Sequence, residues 1–185
     1  MGRDTDPSIR QKLLEKVFQY LLEYGIQDLS LRPLAASIGT NARMLIYHFG
    51  SKEQMIVDAL VLAQKLQMQA LAQTPPPQND VKTELIHLWQ WFSHDDFLPF
   101  AKLLFQIEAQ AMSGNELYLS FAQETLVGWA AFIQARFPNC DTTTAHVIVN
   151  MVSGLLLDRV IHQDKAKVDE SFEAFADLIS KNATL

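Results

Sequence analysis

An all-α fold of about nine helices is what this sequence predicts, and three observations carry it. Apolar residues recur at helical spacing in almost every periodic segment. No run alternates apolar and polar residues for long enough to make a strand. Seven glycines and seven prolines in 185 residues exclude collagen-like and low-complexity chains.

The elements follow in chain order. Asp6 is a good N-cap and Pro7 suits the first helical position. The helix they open carries Ile9, Leu13, Val17, Leu21 and Tyr24 as one apolar stripe, and Gly25 ends it. Ser30 then caps a short helix from Leu31 to Ile38, with Leu34, Ala35 and Ile38 on one face. Pro33 falls in its first turn, where a missing N–H costs nothing. Gly39-Thr40-Asn41 makes a turn, and a third helix from Ala42 to Phe49 buries Leu45 and Phe49 before Gly50 closes it. Ser51 and Gln54 read as a capping box that opens a long fourth helix to about Gln73.

Thr74-Pro75-Pro76-Pro77-Gln78-Asn79 is a stiff, extended linker. Beyond it five helices are expected over 81–93, 98–112, 115–137, 142–163 and 168–182. Gly114-Asn115 and Pro138-Asn139 punctuate them, and Asp141 is placed to cap the fourth of the five.

Composition narrows the class further. The chain holds 15 basic and 21 acidic residues, a net charge of −6. The balance is uneven: residues 1–52 hold seven basic side chains against five acidic, a net of +2, and the remainder hold eight against sixteen, a net of −8. A polyanion meets no net repulsion only in the first quarter. The single Cys140 excludes an internal disulfide framework and suits a reducing compartment. Its Pro-Asn-Cys-Asp turn reads as an inert surface thiol. No secretory apolar region opens the chain, and Asp6 stands where a myristoylation signal needs Ser or Thr. The longest mostly apolar stretch, Val147 to Leu157, is eleven residues and too short to span a bilayer. A cytoplasmic protein without a membrane partner is expected.

Two short helices joined by a glycine-containing turn are a helix-turn-helix pattern. Its second helix must enter a DNA major groove about 12 Å wide while the first lies across its back. The inner face is therefore apolar, here Leu34, Ala35, Ile38, Leu45 and Phe49. The outer face offers Thr40, Asn41, Arg43, Met44, Tyr47 and His48. Arg43 can grip a guanine edge through two hydrogen bonds. Tyr47, His48, Lys52 and the Ser51-capped helix N-terminus are suited to phosphates.

The stretch Leu29-Ser30-Leu31-Arg32-Pro33-Leu34-Ala35-Ala36-Ser37-Ile38-Gly39, followed by Tyr47-His48-Phe49-Gly50-Ser51-Lys52-Glu53, resembles the N-terminal domain of the TetR family of transcriptional regulators. The resemblance covers about residues 10–60. It implies a helix-turn-helix DNA-binding domain over 1–50 and a helical effector-binding and dimerisation domain over 51–185. It implies phosphate contacts from Ser30, Tyr47, His48 and Lys52, with Ala42 and Arg43 against base edges. Many members carry Tyr where this sequence has Ile46, and that tyrosine commonly bonds a phosphate. Here the contact is absent or Tyr47 supplies it.

The same resemblance implies a homodimer built on the last two helices, with Val147, Met151, Gly154, Leu155 and Leu157 on one and Phe172, Phe175, Leu178 and Ile179 on the other. The alternative is that this stripe is monomer core. The resemblance also implies a cavity for a small hydrophobic or aromatic effector, with His87, Trp91, Phe92, Phe105, Gln106, Gln110, Phe121 and Trp129 as candidate lining. The expected function is a ligand-responsive regulator, a repressor released from a palindromic operator in double-stranded DNA. A helical sensor without DNA binding is the alternative.

Catalytic and metal readings find less support. Gly-x-Ser-x-Gly, Gly-x-Gly-x-x-Gly and Walker A patterns are absent, so an all-α enzyme is the weakest reading and no cofactor is expected. His87 and His94 share a helical face near Asp95 and Asp96, but no HExxH or closely spaced Cys/His set accompanies them. No metal site is expected.

Overall fold

In the computed structural model, which describes residues 7–74, 80–137 and 139–182, the chain leaves its first helix through Gly25. Its φ of +70° is left-handed, and its N–H donates to the Leu21 carbonyl at 2.8 Å. A Cβ there would lie 3.1 Å from the Gln106 side chain, so glycine alone meets both demands. Gln106 Oε1 in turn accepts the N–H of Ile26 at 3.0 Å.

Among the described residues the elements are α1 (Pro7–Tyr24), α2 (Leu31–Ser37), α3 (Ala42–Phe49), α4 (Lys52–Gln73), α5 (Val81–Phe92), a single 3-10 turn (Asp95–Phe97), α6 (Leu98–Met112), α7 (Glu116–Arg136), α8 (Thr142–His162) and α9 (Lys165–Asn182). The fold is all-α, as the apolar spacing predicts. Asp6, the residues 75–79 of the expected linker and Pro138 lie outside the described residues. α9 begins three residues before the expected 168, because Asp164 Oδ1 accepts the N–H of Lys167 at 3.1 Å. That cap precedes the first apolar residue of the helix, and periodicity is blind to it. The chain forms two compact units: residues 1–73 with 106–121, and residues 74–105 with 122–185. α6 and α7 each contribute to both.

In the first unit α1 packs on α4 and α2, and α3 packs on α2 and α4. α1 buries Leu14, Val17 and Leu21, whereas Ile9 and Tyr24 are exposed. The expected stripe is thus rotated, running through positions 14, 17 and 21 rather than 9, 13, 17, 21 and 24. Arg10 explains part of the difference. It pairs with Asp58 of α4, and its guanidinium lies over the Phe49 ring at 5.1 Å. The α4 cap is half of the expected box: the Gln54 N–H donates to Ser51 Oγ at 3.0 Å, but the Gln54 side chain donates to Asp58 at 2.8 Å instead of reaching back.

The second unit is built around α9, which packs on α5 and α8. Trp89 and Phe172 stack with ring centres 4.8 Å apart, and the indole N–H of Trp89 donates to Asp169 at 2.7 Å. Phe92 meets Trp129 and Phe97 edge-on at 5.1 and 5.3 Å. Glu84 is buried and pairs with Arg136, which also donates to the Thr74 carbonyl at 3.0 Å. Phe172 and Phe175, expected at a two-fold interface, are buried in the chain's own core.

One sequence expectation is corrected here and another is extended. Cys140 is not a surface thiol: it is 6% exposed, and burial pushes its pKa up, so the reactive thiolate is disfavoured. The apolar stretch Val147 to Leu157 is part of a 21-residue helix, α8, which by length and composition alone could cross a membrane. α8 instead buries Ala145, Ile148 and Leu156 against the unit, leaving Val147, Leu157 and Ile161 exposed.

Phe172→Ala removes the ring under Trp89 and should cost about 3–5 kcal/mol, whereas exposed Ile9→Ala should stay within about 0.5 kcal/mol. Urea unfolding of the two variants beside the parent chain measures both.

Candidate nucleic-acid interface

The site is built by two short helices and the turn between them. α2 begins after Ser30, whose backbone is extended, and buries Leu34 and Ala35. Ser30 is exposed and its hydroxyl makes no capping hydrogen bond, contrary to the expected cap. The turn is set at Gly39, with φ +77°. There the N–H of Gly39 donates to Ala36 O at 3.3 Å and that of Thr40 to Ala35 O at 2.8 Å. Lys16 of α1 donates to the Ile38 carbonyl at 3.3 Å, satisfying an acceptor at the end of α2.

α3 starts with a side-chain cap: Asn41 Oδ1 accepts the Met44 N–H at 3.0 Å. It ends where the Gly50 N–H donates to the Ile46 carbonyl at 2.8 Å. Leu45 and Phe49, one turn apart, are 1% and 5% exposed. With those two side chains inside, Arg43, Met44, Ile46 and Tyr47 are left exposed.

The sequence-derived candidates distribute as follows. Ser30, Asn41, Arg43 and Tyr47 are exposed, and Thr40, Ala42, His48 and Lys52 are half-buried. All eight fall on α2, α3, their turn or the start of α4, in one stretch of 23 residues. Asn41 also has a structural role, since its oxygen is engaged in the cap. Lys52 Nζ lies 3.5 Å from the Leu29 carbonyl and 3.8 Å from Glu53. His48 packs edge-on to Tyr47 and tilted to Phe49, and both its ring nitrogens are covered with no hydrogen-bond partner among the described residues.

Sequence reasoning by residue totals missed the sharper electrostatic signal. From Leu29 to Lys52 the chain has no acidic residue, yet it carries Arg32, Arg43 and Lys52. The five acids that reduce residues 1–52 to a net of +2 all lie before this run. A scan for acid-free windows finds it, where a sum over residues 1–52 dilutes it.

The candidate effector residues are spread over both units. In the second unit Phe92 and Trp129 are buried, Trp91 and Phe105 half-buried, and His87 exposed. In the first unit Phe121 is buried, Gln106 is engaged with Ile26, and Gln110 is exposed. His94 stands apart from His87 as the cap of the 3-10 turn, its Nδ1 accepting the Asp96 N–H at 3.3 Å.

Two short helices joined by a glycine turn, the second seated by Leu45 and Phe49 and open on its other face, form a helix-turn-helix. Residues 13–59 match the family model of the bacterial regulatory proteins of the tetR family. No match is found among curated proteins. Solved structures share the fold along nearly the whole chain. Salmonella enterica GusR matches with a TM-score of 0.74 at 18% identity, covering 97% of this chain and 100% of that one. A TetR transcription regulator from Haloarcula marismortui matches at 0.73 and 14%, covering 96% and 99%. The multidrug binding protein EbrR, solved with proflavin, matches at 0.67 and 24%, covering 89% and 98%. At these identities the likeness is one of fold.

Asn41→Ala removes the α3 cap and should destabilise the chain by about 1 kcal/mol in urea unfolding, whereas Asn41→Asp should keep most of that stability.

Proposed function

We propose that this chain is a ligand-responsive, homodimeric DNA-binding transcriptional regulator, a cytoplasmic repressor released from a palindromic operator by a small hydrophobic effector. The observation that carries this reading is the outer face of α3, exposed beside Arg43 within an acid-free run from Leu29 to Lys52. Residues 1–50 engage DNA and residues 51–185 bind the effector and the second subunit. Arg43 and Ala42 meet base edges at the front of the helix. Ser30, Thr40, Asn41, Tyr47 and Lys52 address the backbone on either side, whereas His48, expected among them, has both ring nitrogens covered and is left out.

The dimer reading is supported by α8. Val147, Leu157 and Ile161 are exposed and Met151 is half-exposed, with the small Gly154 between them at helical spacing. Two heads related by a two-fold axis match successive major grooves about 34–36 Å apart. The effector reading is supported by the aromatic content of the second unit, Trp91, Phe92 and Trp129, and by the likeness to EbrR, a multidrug binding protein solved with proflavin. An effector that prefers the conformation with misplaced heads lowers operator affinity by its differential affinity for the two states.

Selection of binding sites from random duplex DNA tests the reading. Enrichment of a two-fold palindrome is the expected result, with a species of twice the 20.9 kDa chain mass in sedimentation. No enrichment by folded protein, before and after refolding to strip bound ligand, turns the reading to a helical sensor without DNA binding.

On the selected operator, Arg43→Ala should relax preference at one position per half-site, costing about 1–3 kcal/mol there. Equal weakening on every sequence would remove Arg43 from base reading. Lys52→Ala should weaken all sequences alike and flatten the salt dependence by about one unit of slope. A titration of affinity against salt measures it, and an unchanged slope takes Lys52 off the phosphate contacts.

A further inference from the structure

The outward face of α3 is more apolar than a surface built only to grip phosphates needs to be. In a helix of eight residues, Met44 is 38% exposed, Ile46 41% and Tyr47 59%, while Leu45 and Phe49 hold the inner face. Single exposed hydrophobic residues are ordinary on protein surfaces; three on two turns of one short helix are not. Arg43 is the one charged side chain among them, and no carboxylate occurs between Leu29 and Lys52 to repel a polyanion. The face therefore combines one forked donor with aliphatic surface in a cationic setting.

A DNA major groove presents the matching combination. Its guanine edge offers two acceptors to an arginine fork, and the thymine 5-methyl is the apolar group exposed on its floor. Met44 has no hydrogen-bond donor and only a weak thioether acceptor, and Ile46 has neither, so they cannot read a base edge through polar contacts. Ile46 lies one turn beyond Arg43 at i+3 and neighbours it on the helix surface, while Met44, next in sequence, lies about 100° round the helix on the other side of Arg43.

We infer that Met44 and Ile46, on either side of Arg43, read thymine methyl groups beside the base pair that Arg43 reads. This makes the two residues determinants of operator specificity, and it rests on the DNA-binding reading above. The preferred half-site then contains thymines next to a guanine, and removing the thymine methyl alone weakens binding. Covering one methyl group is worth about four-fold in affinity. The unbranched Met44 side chain adapts to a neighbouring methyl more readily than the stiff, β-branched Ile46.

The test uses the full chain and the palindrome obtained by selection. Each thymine of one half-site is replaced singly by deoxyuridine, which lacks only the methyl, and affinity is read by fluorescence anisotropy for the parent chain, Met44→Ala, Ile46→Ala and Arg43→Ala. The parent chain should lose about four-fold at one or two thymines. That penalty should vanish for Met44→Ala at one of them and persist for Arg43→Ala, whose overall affinity is lower. Because deoxyuridine changes the DNA and not the protein, a loss in the parent chain cannot arise from misfolding. Deoxyuridine tolerated at every thymine overturns the inference, as does an equal penalty in both alanine variants of Met44 and Ile46. Competition by single-stranded DNA as strong as by the duplex also overturns it, since the face would then serve base stacking on Tyr47. Failure of the parent chain to bind the thymine-containing palindrome is a separate outcome that removes the DNA-binding reading itself, and this inference with it.

Discussion

The seating of α3 by Leu45 and Phe49 is the constraint on which the head depends. An eight-residue helix is too short to be stable alone in water, so packing and its Asn41 cap must hold it. Both anchors are buried on one side, which leaves positions 43, 44, 46 and 47 no direction but outward. Phe49 also carries the Arg10 guanidinium on its ring, and Arg10 pairs with Asp58 of α4. One aromatic side chain thereby couples α1, α3 and α4. A loss of packing at Phe49 would loosen the helix and uncover an ion pair at the same time.

That arrangement also decides which cations of the head face outward. Arg10 is neutralised by Asp58, and Lys16 and Lys52 donate to the carbonyls of Ile38 and Leu29. Lys12, Arg32 and Arg43 are exposed, as is the Lys16 that reaches the Ile38 carbonyl. The remaining chain, residues 53–185, carries a net of −8, so a polyanion is attracted to one limited surface and repelled elsewhere.

The second unit depends on different interactions. Trp89 and Phe172 bring α5 and α9 together over a large aromatic contact, and Asp169 accepts the indole N–H that burial would otherwise leave unpaired. The Glu84–Arg136 pair is almost fully buried, so removing either partner would leave a charge without compensation. The large apolar residues left exposed in this unit are Val147, Leu157 and Ile161 on α8, with Val127 on α7 and Leu178 on α9. Their exposure is what separates them from Phe172 and Phe175, which are equally apolar in the sequence but already covered.

Amino-acid sequence by itself determined the helical class, α3 and α4 to the residue and the inner face of the helix-turn-helix, because apolar periodicity, caps and glycine turns are local properties. It also determined the candidate interface residues, which lie within one continuous stretch. Tertiary structure decided the rotation of α1, since Arg10 finds Asp58 48 residues away and the exposed Ile9 and Tyr24 are left out of the core. It decided the burial of Cys140 and of Phe172, whereas the Asn41 cap and the Gln54–Asp58 bond, three and four residues apart, are local contacts that apolar periodicity does not reveal. Helical spacing states only that a face is apolar. Whether that face meets another helix or water depends on partners distant in the chain, and only the assembled packing supplies them.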